Sequence, residues 1–402
     1  MATPKLRFKE FDGDWGFRKI RDISDSIVPG RNKPKLFDGD IPWVTTPDIK
    51  DKIYVSDTQS NYYISEVEAK NVGSKIVPTN SVIMSCVGDL GLFAINTKPI
   101  VINQQLHAFL LDNSKYSSVF VLNAISKNQN FIEKVATKTA LPYLNKDNCN
   151  SIPLFLCSFE EQTKIASFLS AVDEKISQLN QKHKLLSQYK QGMMQKLFSQ
   201  QIRFKADDGS EFGTWEEIIL SDVAKRVTRK NKEDNQNALT ISAQMGLVNQ
   251  QDYFTRQIAS RDLSKYYLLY KGEFAYNKSY SAGYPMGAIK RLKLYEKGVV
   301  STLYICFSLN PEIDSDFFEH YVESGSLVPE LEKIAQEGAR NHGLLNISLQ
   351  EFFEVALLKP CLEEQTKIAN FLSSIDQKIE VVAQQIEQAK QWKKGLLQQM
   401  FV

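Results

Sequence analysis

Residues 160–176 read EEQTKIASFLSAVDEKI, and residues 363–379 read EEQTKIANFLSSIDQKI, a near-identical copy at an offset of 203 positions. Two unrelated amphipathic helices would share a pattern of apolar positions but not the letters, so the chain carries an internal duplication. The match runs on without a gap: Gly192-Met193-Met194-Gln195 falls on Gly395-Leu396-Leu397-Gln398, and Phe198 on Phe401. A second similarity lies upstream. Arg7-Phe8-Lys9 matches Arg203-Phe204-Lys205, Asp12-Gly13 matches Asp208-Gly209, and Trp15 matches Trp215. The order is a short lead, a variable block and a helix, written twice.

In both copies apolar residues return every seven positions. Ile165, Val172, Leu179, Leu186 and Met193 form one series, and Leu169, Ile176, His183, Lys190 and Leu197 the other. The copy supplies Ile368, Ile375, Val382, Ala389 and Leu396 with Leu372, Ile379, Ile386, Lys393 and Met400. A seven-residue period is the signature of a coiled-coil seam. Pro153 and Pro360 precede the helices, and Glu160-Glu161 and Glu363-Glu364 suit the positive end of the helix dipole. Helices over about 160–198 and 363–401 are expected, each on the order of 60 Å long. The pairing seam is assigned to Ile165, Leu169, Val172, Ile176, Leu179 and Leu186 with Ile368, Leu372, Ile375, Ile379, Val382 and Ile386. A homodimer would cover such a seam. Pairing within the chain is preferred, because copies related by a two-fold axis run antiparallel. His183 is read as a packed histidine, and Lys190 and Lys393 as lysines that snorkel outward. The C-terminus is then expected near the start of the chain, as in a pseudo-symmetric ring of four parts opened at one point.

The variable blocks, about 22–155 and 222–358, differ in sequence but share a layout. Both hold short β-rich runs: WVTT at 43–46 and SVIMSC at 81–86, then YLLYKGEFAY at 267–276 and GVVSTLYICFSL at 298–309. Helices are expected near 117–135 and 314–335. Each is followed by a loop that ends at Leu144-Asn145 or Leu345-Asn346, then by a strand into the long helix. The expected class is α+β: two globules of mixed, mostly antiparallel sheet separated by two long antiparallel coiled-coil helices, with an internal pseudo-two-fold repeat. The expected domains are 1–155, 156–200, 201–358 and 359–402.

With 43% apolar and 11% aromatic residues in 402, the chain can bury more than one core. The opening MATPKLRFKEF has no apolar stretch of a secretory signal, and no segment is apolar enough to span a membrane. The five cysteines form no CxxC pair, which fits a reduced, cytoplasmic protein without a zinc site. Net charge is +2, and segment 22–155 holds 13 basic and 13 acidic side chains, so a basic face would have to arise from local placement.

Polar, basic and aromatic residues cluster at loop positions of both blocks. The first has Arg31, Lys33, Lys35, Thr45, Thr46, Gly88-Asp89-Leu90-Gly91, Lys138, Thr139 and Tyr143. The second has Arg226, Arg229, Lys230, Lys278, Ser279, Tyr280, Ser281, Tyr284, Arg340, Asn341 and His342. Lys and Arg clamp phosphates, while Arg, Asn and Thr read base edges. Many loop residues of these types are simply solvated, so the sets mark loops rather than single contacts. Catalytic signatures are absent. There is no GxxxxGK[ST], GxGxxG or HExxH, Asn310-Pro311 continues into Glu-Ile, and His107, His183, His320 and His342 are scattered. No catalytic residue, metal site or cofactor is assigned. A recognition and assembly protein is expected. A coiled-coil adaptor with two ligand-binding globules and no DNA role, or an enzyme with unrecognised motifs, remain the alternatives.

Proline, a short linker, Glu-Glu-Gln-Thr-Lys-Ile-Ala and a long helix, placed twice after variable blocks, is similar to the specificity subunit of Type I restriction–modification systems. The resemblance spans the whole chain and is carried by the duplicated helix. It implies that 1–155 and 201–358 hold target recognition domains, each reading one half of a bipartite, asymmetric site in double-stranded DNA. The paired helices would set the spacer and dock two modification (methyltransferase) subunits. Restriction (translocase and nuclease) subunits would join that core. S-adenosylmethionine, ATP and Mg would be bound by those partners and none by this chain, with no membrane involved.

Overall fold

A computed structural model describes residues 3–29, 32–242, 245–253, 262–281, 283–335 and 345–402. The chain divides into two compact units, residues 1–180 with 384–402 and residues 181–383. Each is built by the same rules.

The copied stretches form continuous helices, Phe159–Phe198 of 40 residues and Leu362–Met400 of 39. Ser158 caps the first, its hydroxyl accepting from the Glu161 N–H at 3.3 Å. The first helix stops where Gln200 turns left-handed with φ +58°. Each helix contributes one half to each unit. In the first unit Ile165, Leu169 and Val172 share a core with Leu396, Met400 and Phe401. In the second, Ile368, Leu372 and Ile375 share a core with Met194, Leu197 and Phe198. Early residues of one helix therefore meet late residues of the other, and the seam is filled from within the chain. Leu179, Val382 and Ile386 are buried, while Ile176, Leu186, Ile379 and His183 are half-buried.

Lys190 and Lys393 do not simply reach for solvent, as the sequence suggested. Lys393 Nζ lies 2.5 Å from Asp173, and Lys190 Nζ 2.6 Å from Asp376. These are equivalent pairs under the 203-residue shift. A carboxylate on the facing helix offers each ammonium a partner closer than bulk water.

The Glu-Glu-Gln motif locks three parts together in each unit. Glu161 is buried and accepts from Arg7 Nε at 2.7 Å and Nη2 at 2.8 Å. Glu364 accepts from Arg203 Nε at 3.0 Å and Nη2 at 2.6 Å, and from Trp215 Nε1 at 3.1 Å. Gln162 accepts from the Ser117 N–H at 3.1 Å, and Gln365 from the Asp314 N–H at 2.7 Å. Ser117 and Asp314 are the caps of helices Ser118–Ser126 and Ser315–Glu323. The lead, the long helix and the globule thus meet at two buried side chains, which explains why the letters and not only the pattern recur. The leads close in register as well. The Leu6 N–H donates to the Gln399 carbonyl at 2.9 Å, and the Ile202 N–H to the Lys196 carbonyl at 3.2 Å. The start of the chain therefore sits on its last helix, as expected.

The unlike blocks take one sheet order. In the first unit it runs Ser24–Ile27, Leu106–Leu111, Val82–Ser85, Phe93–Asn96, Tyr54–Val55, antiparallel except for the last pair. In the second it runs Ala224–Arg226, Ile305–Leu309, Phe274–Asn277, Ala288–Arg291, all antiparallel. The inner strands read as unbroken apolar runs because both faces are covered. Val82 and Met84 face the core that holds Ser118–Ser126 and the long helices, whereas Ile83 faces a second core. Phe274 and Tyr276 split from Ala275 in the same way. Strands Gly16–Lys19 with Pro153–Leu156, and Glu216–Ile219 with Ala356–Lys359, tie each lead to the chain entering a long helix.

Several expected elements are divided. WVTT is strand only through Val44, because Thr45 caps helix Thr46–Ile49 with Pro47 in its first turn. YLLYKGEFAY breaks at Gly272, φ +94°, into strands of different sheets. GVVSTLYICFSL breaks into Lys297–Val300 and Ile305–Leu309. The helix near 117–135 is Ser118–Ser126 and Gln129–Val135, and that near 314–335 is Ser315–Glu323 and Val328–Ile334.

Candidate nucleic-acid interface

In the first unit two sequence-marked loops come together at one end of the larger sheet. The Gly88 N–H donates to the Pro142 carbonyl at 2.9 Å, and the Leu144 N–H to the Cys86 carbonyl at 2.8 Å. Gly88 and Gly91 have φ of +78° and +76°, which permits the tight return. Loop 137–143 closes on itself through the Thr137 N–H and Tyr143 carbonyl at 3.0 Å. Its Lys138, Thr139, Leu141 and Tyr143 side chains are exposed. Thr46 is tied to this place through Gln105. Its hydroxyl lies 3.2 Å from Gln105 Oε1, and the Gln105 carbonyl accepts from the Cys86 N–H at 2.7 Å. The hydroxyl of Thr45 is engaged with Asp48 at 2.7 Å in its cap.

Lys33 and Lys35 sit on a separate, pinned loop. Buried Glu68 accepts from the Lys35 N–H at 2.6 Å and the Leu36 N–H at 3.3 Å. Those amides hold its carboxyl below the usual range. A Cβ on Gly39 would collide with the Ile64 backbone, so no larger residue fits there. Lys33 Nζ stands 5.7 Å over the Trp43 ring, and Lys35 is exposed. Arg31 lies outside the described residues.

In the second unit the same joint recurs, with the Leu345 N–H donating to the Lys278 carbonyl at 3.0 Å. Arg340, Asn341 and His342 lie outside the described residues. Arg226 and Tyr280 are exposed, Tyr280 by 64%. Ser279 is tied back, its N–H on Asn277 Oδ1 at 3.1 Å, and Lys278 Nζ reaches the Ile347 carbonyl at 3.2 Å. Three other candidates serve the fold. Arg229 grips Glu273 at 3.0 and 3.1 Å and lies 3.9 Å over Tyr270. Lys230 donates to the Lys265 carbonyl at 2.9 Å. The Tyr284 hydroxyl donates to Glu323 at 2.9 Å and accepts from Lys290 at 3.1 Å. Sequence reading missed Lys50, which lies 3.9 Å from Asp89, and buried Lys290. Only Lys290 left a signal, a charge that follows the apolar pair Ala288-Ile289 in strand Ala288–Arg291. The exposed groups that remain are ammonium, guanidinium, hydroxyl and aromatic faces on loops held by backbone bonds, the equipment for phosphates and base edges.

The description "Type I restriction modification DNA specificity domain" matches residues 12–188 and again 213–391. The chain belongs to this family. The two specificity-domain matches fall on the two copies of lead, block and helix. The MjaVIII specificity subunit of Methanocaldococcus jannaschii is 24% identical over 97% of this chain and 94% of its own. The MjaIX specificity subunit of the same organism is 24% identical over 45% of this chain, a match spanning only 44% of that subunit. Among solved structures, the S subunit of a Type I system from M. genitalium superimposes with TM-score 0.60 at 16% identity, covering 100% of this chain and 99% of that one. That likeness is one of fold, and it extends the specificity-subunit architecture to both copies here.

Proposed function

We propose that this chain is the DNA-reading subunit of a Type I restriction–modification complex and catalyses neither methylation nor cleavage. One observation carries the reading. The residues identical between the copies gather in the leads and long helices, which they build and lock, whereas the blocks differ almost throughout and hold exposed loops at equivalent places in equivalent sheets. A protein built that way holds two different readers on one repeated frame.

Each block reads one half of a bipartite, asymmetric site in double-stranded DNA. Loops 86–91 and 137–143, with Lys138 and Tyr143, serve the first half, and Arg226 with the loop after Asn277 the second. The long helices fix the spacer and dock two modification subunits. Tyr189 and Trp392 support this, being half-exposed aromatics at positions related by the repeat. S-adenosylmethionine would belong to the modification subunits, and ATP and Mg to restriction subunits, in a cytoplasmic assembly.

The test is selection from random duplex pools by the complex with its modification subunits. A bipartite motif with one spacer length is expected. Enrichment of no motif, or of a single contiguous one, refutes the proposal and leaves an adaptor.

A further inference from the structure

We infer that Tyr280 is a specificity-determining residue of the second unit, and that Tyr284, Lys290 and Glu323 form a pin holding its loop in the reading position. The inference rests on the DNA-reading proposal and deepens it.

The loop is long for its place. Paired Tyr276 and Ile289 enclose 12 residues, whereas the equivalent pair in the first unit, Met84 and Phe93, encloses 8. A longer loop has more conformations to lose, so accurate contact with a base requires it to be held beforehand. Its base is held. The Tyr276 hydroxyl donates to the Met286 carbonyl at 2.8 Å, and Gly287, φ +73°, lies so close to the Asn277 carbonyl that a Cβ would collide. Its tip turns on reciprocal bonds between Ser281 and Tyr284 of 3.3 and 2.9 Å.

Between tip and base the loop is undercut. A cavity of about 160 Å³ lies against Met286, Val322 and Leu331, and one of about 510 Å³ against Met245, Leu294 and His320; Tyr284 and Glu323 line both. Packing alone does not support the loop there. The Tyr284 hydroxyl crosses the gap to Glu323, Lys290 Nζ reaches the same hydroxyl, and Lys290 forms an ion pair with Glu323. Lys290 is buried on its strand opposite Ala275. The first unit has Ala94 at the matching place, opposite Ile83. An ion pair held partly out of water is a poor source of stability compared with apolar packing, so its presence under the longer loop alone points to positioning. What the pin presents is Tyr280. Its ring is the most exposed aromatic among the described residues of the second unit, and it offers a face for stacking and a hydroxyl for groove acceptors.

The test compares dissociation constants of the complex, with its modification subunits, for the selected site and for single-base changes in each half. Tyr280→Ala is expected to lose roughly tenfold of discrimination in one half-site and none in the other. Tyr284→Phe, which keeps the ring, should lose several-fold in the same half. Combined with Tyr280→Ala it should add nothing, because the pin acts through Tyr280. Equal losses in both halves, additive losses, or no loss in either half-site for Tyr280→Ala overturn the inference while the DNA-reading proposal stands. Failure of the unaltered complex to select any bipartite site overturns both.

Discussion

Removing Arg203 should cost the second unit a large share of its stability. Glu364 is 0% exposed, and its carboxylate takes three side-chain bonds, two from Arg203 and one from Trp215. In Arg203→Ala it keeps only the indole. Leaving a buried charge without its partner costs about 3–5 kcal/mol. The Arg203 side chain is 27% exposed, so water entering its place puts the expected value near the low end. For a unit of about 200 residues, roughly 2–4 °C of melting temperature accompanies each kcal/mol, so Tm should fall by about 6–12 °C. Arg7→Ala should cost at least as much, because Trp15 Nε1, the counterpart of the Trp215 donor, has no hydrogen-bond partner. Glu161 would lose both side-chain donors described for it. Calorimetry and urea titration of each variant give the numbers. The double variant Arg203→Met with Glu364→Leu, which removes both charges, should recover most of the loss. A single variant within about 0.5 kcal/mol of the parent would refute the claim that the motif is a structural lock.

Two further outcomes are expected. Burial pushes His107 and His320 down from 6.5 to about 4, with Lys190 adding to the effect on His320 and Asp376 opposing it. Each is neutral in the fold and takes up a proton on unfolding below pH 6.5. The stability it contributes is therefore present above that pH and lost as pH falls toward 4, by about 3 kcal/mol per group. Urea midpoints of His107→Asn and His320→Asn should decline less between pH 7 and 5 than those of the parent, and parallel declines would contradict this. Second, the Leu6–Gln399 and Ile202–Lys196 bonds are equivalent. A circular permutant joining residue 402 to the lead and opened near residue 200 should keep its helical circular-dichroism signal and a cooperative melt; a chain without a melting transition would show that the joints differ.

The helices, their seam and the leads were legible because two signals agreed: a seven-residue period, and a copy that preserved letters as well as pattern. The sheets were legible only as apolar runs. Periodicity does not see Thr45 capping a helix inside WVTT, nor Gly272 turning one run into strands of two sheets. The fold brings candidate loops of the first unit together, and the Cys86–Leu144 and Lys278–Leu345 bonds are equivalent joints in the two units. Single residues were less readable. Arg229 and Lys230 look like phosphate clamps in a list of letters, yet one is held by Glu273 and the other by a backbone carbonyl, partners 44 and 35 positions away. Lys190 and Lys393 were misread for the same reason, their carboxylates lying on the other helix. Composition reports that a charge exists. Only the fold says whether a partner has already claimed it.

The sequence repeat and the folded unit are out of phase. Residues 384–402 complete the first unit, and the second takes residues from 181 onward out of the first copy. A gene cut at the repeat boundary would encode about half the chain: a first unit lacking its last helical segment, with 181–198 left over. That surplus carries the same apolar positions as 384–401. Two such halves can each lend the other the missing piece and close as a dimer by reciprocal exchange. Under the proposed reading, that dimer would address a palindrome. The uncut 402-residue chain escapes symmetry because its two blocks differ. Since the locking side chains stand outside the blocks' exposed loops, exchange of those loops alone would, under the proposed reading, change half of a target and leave the joints that hold the frame in place.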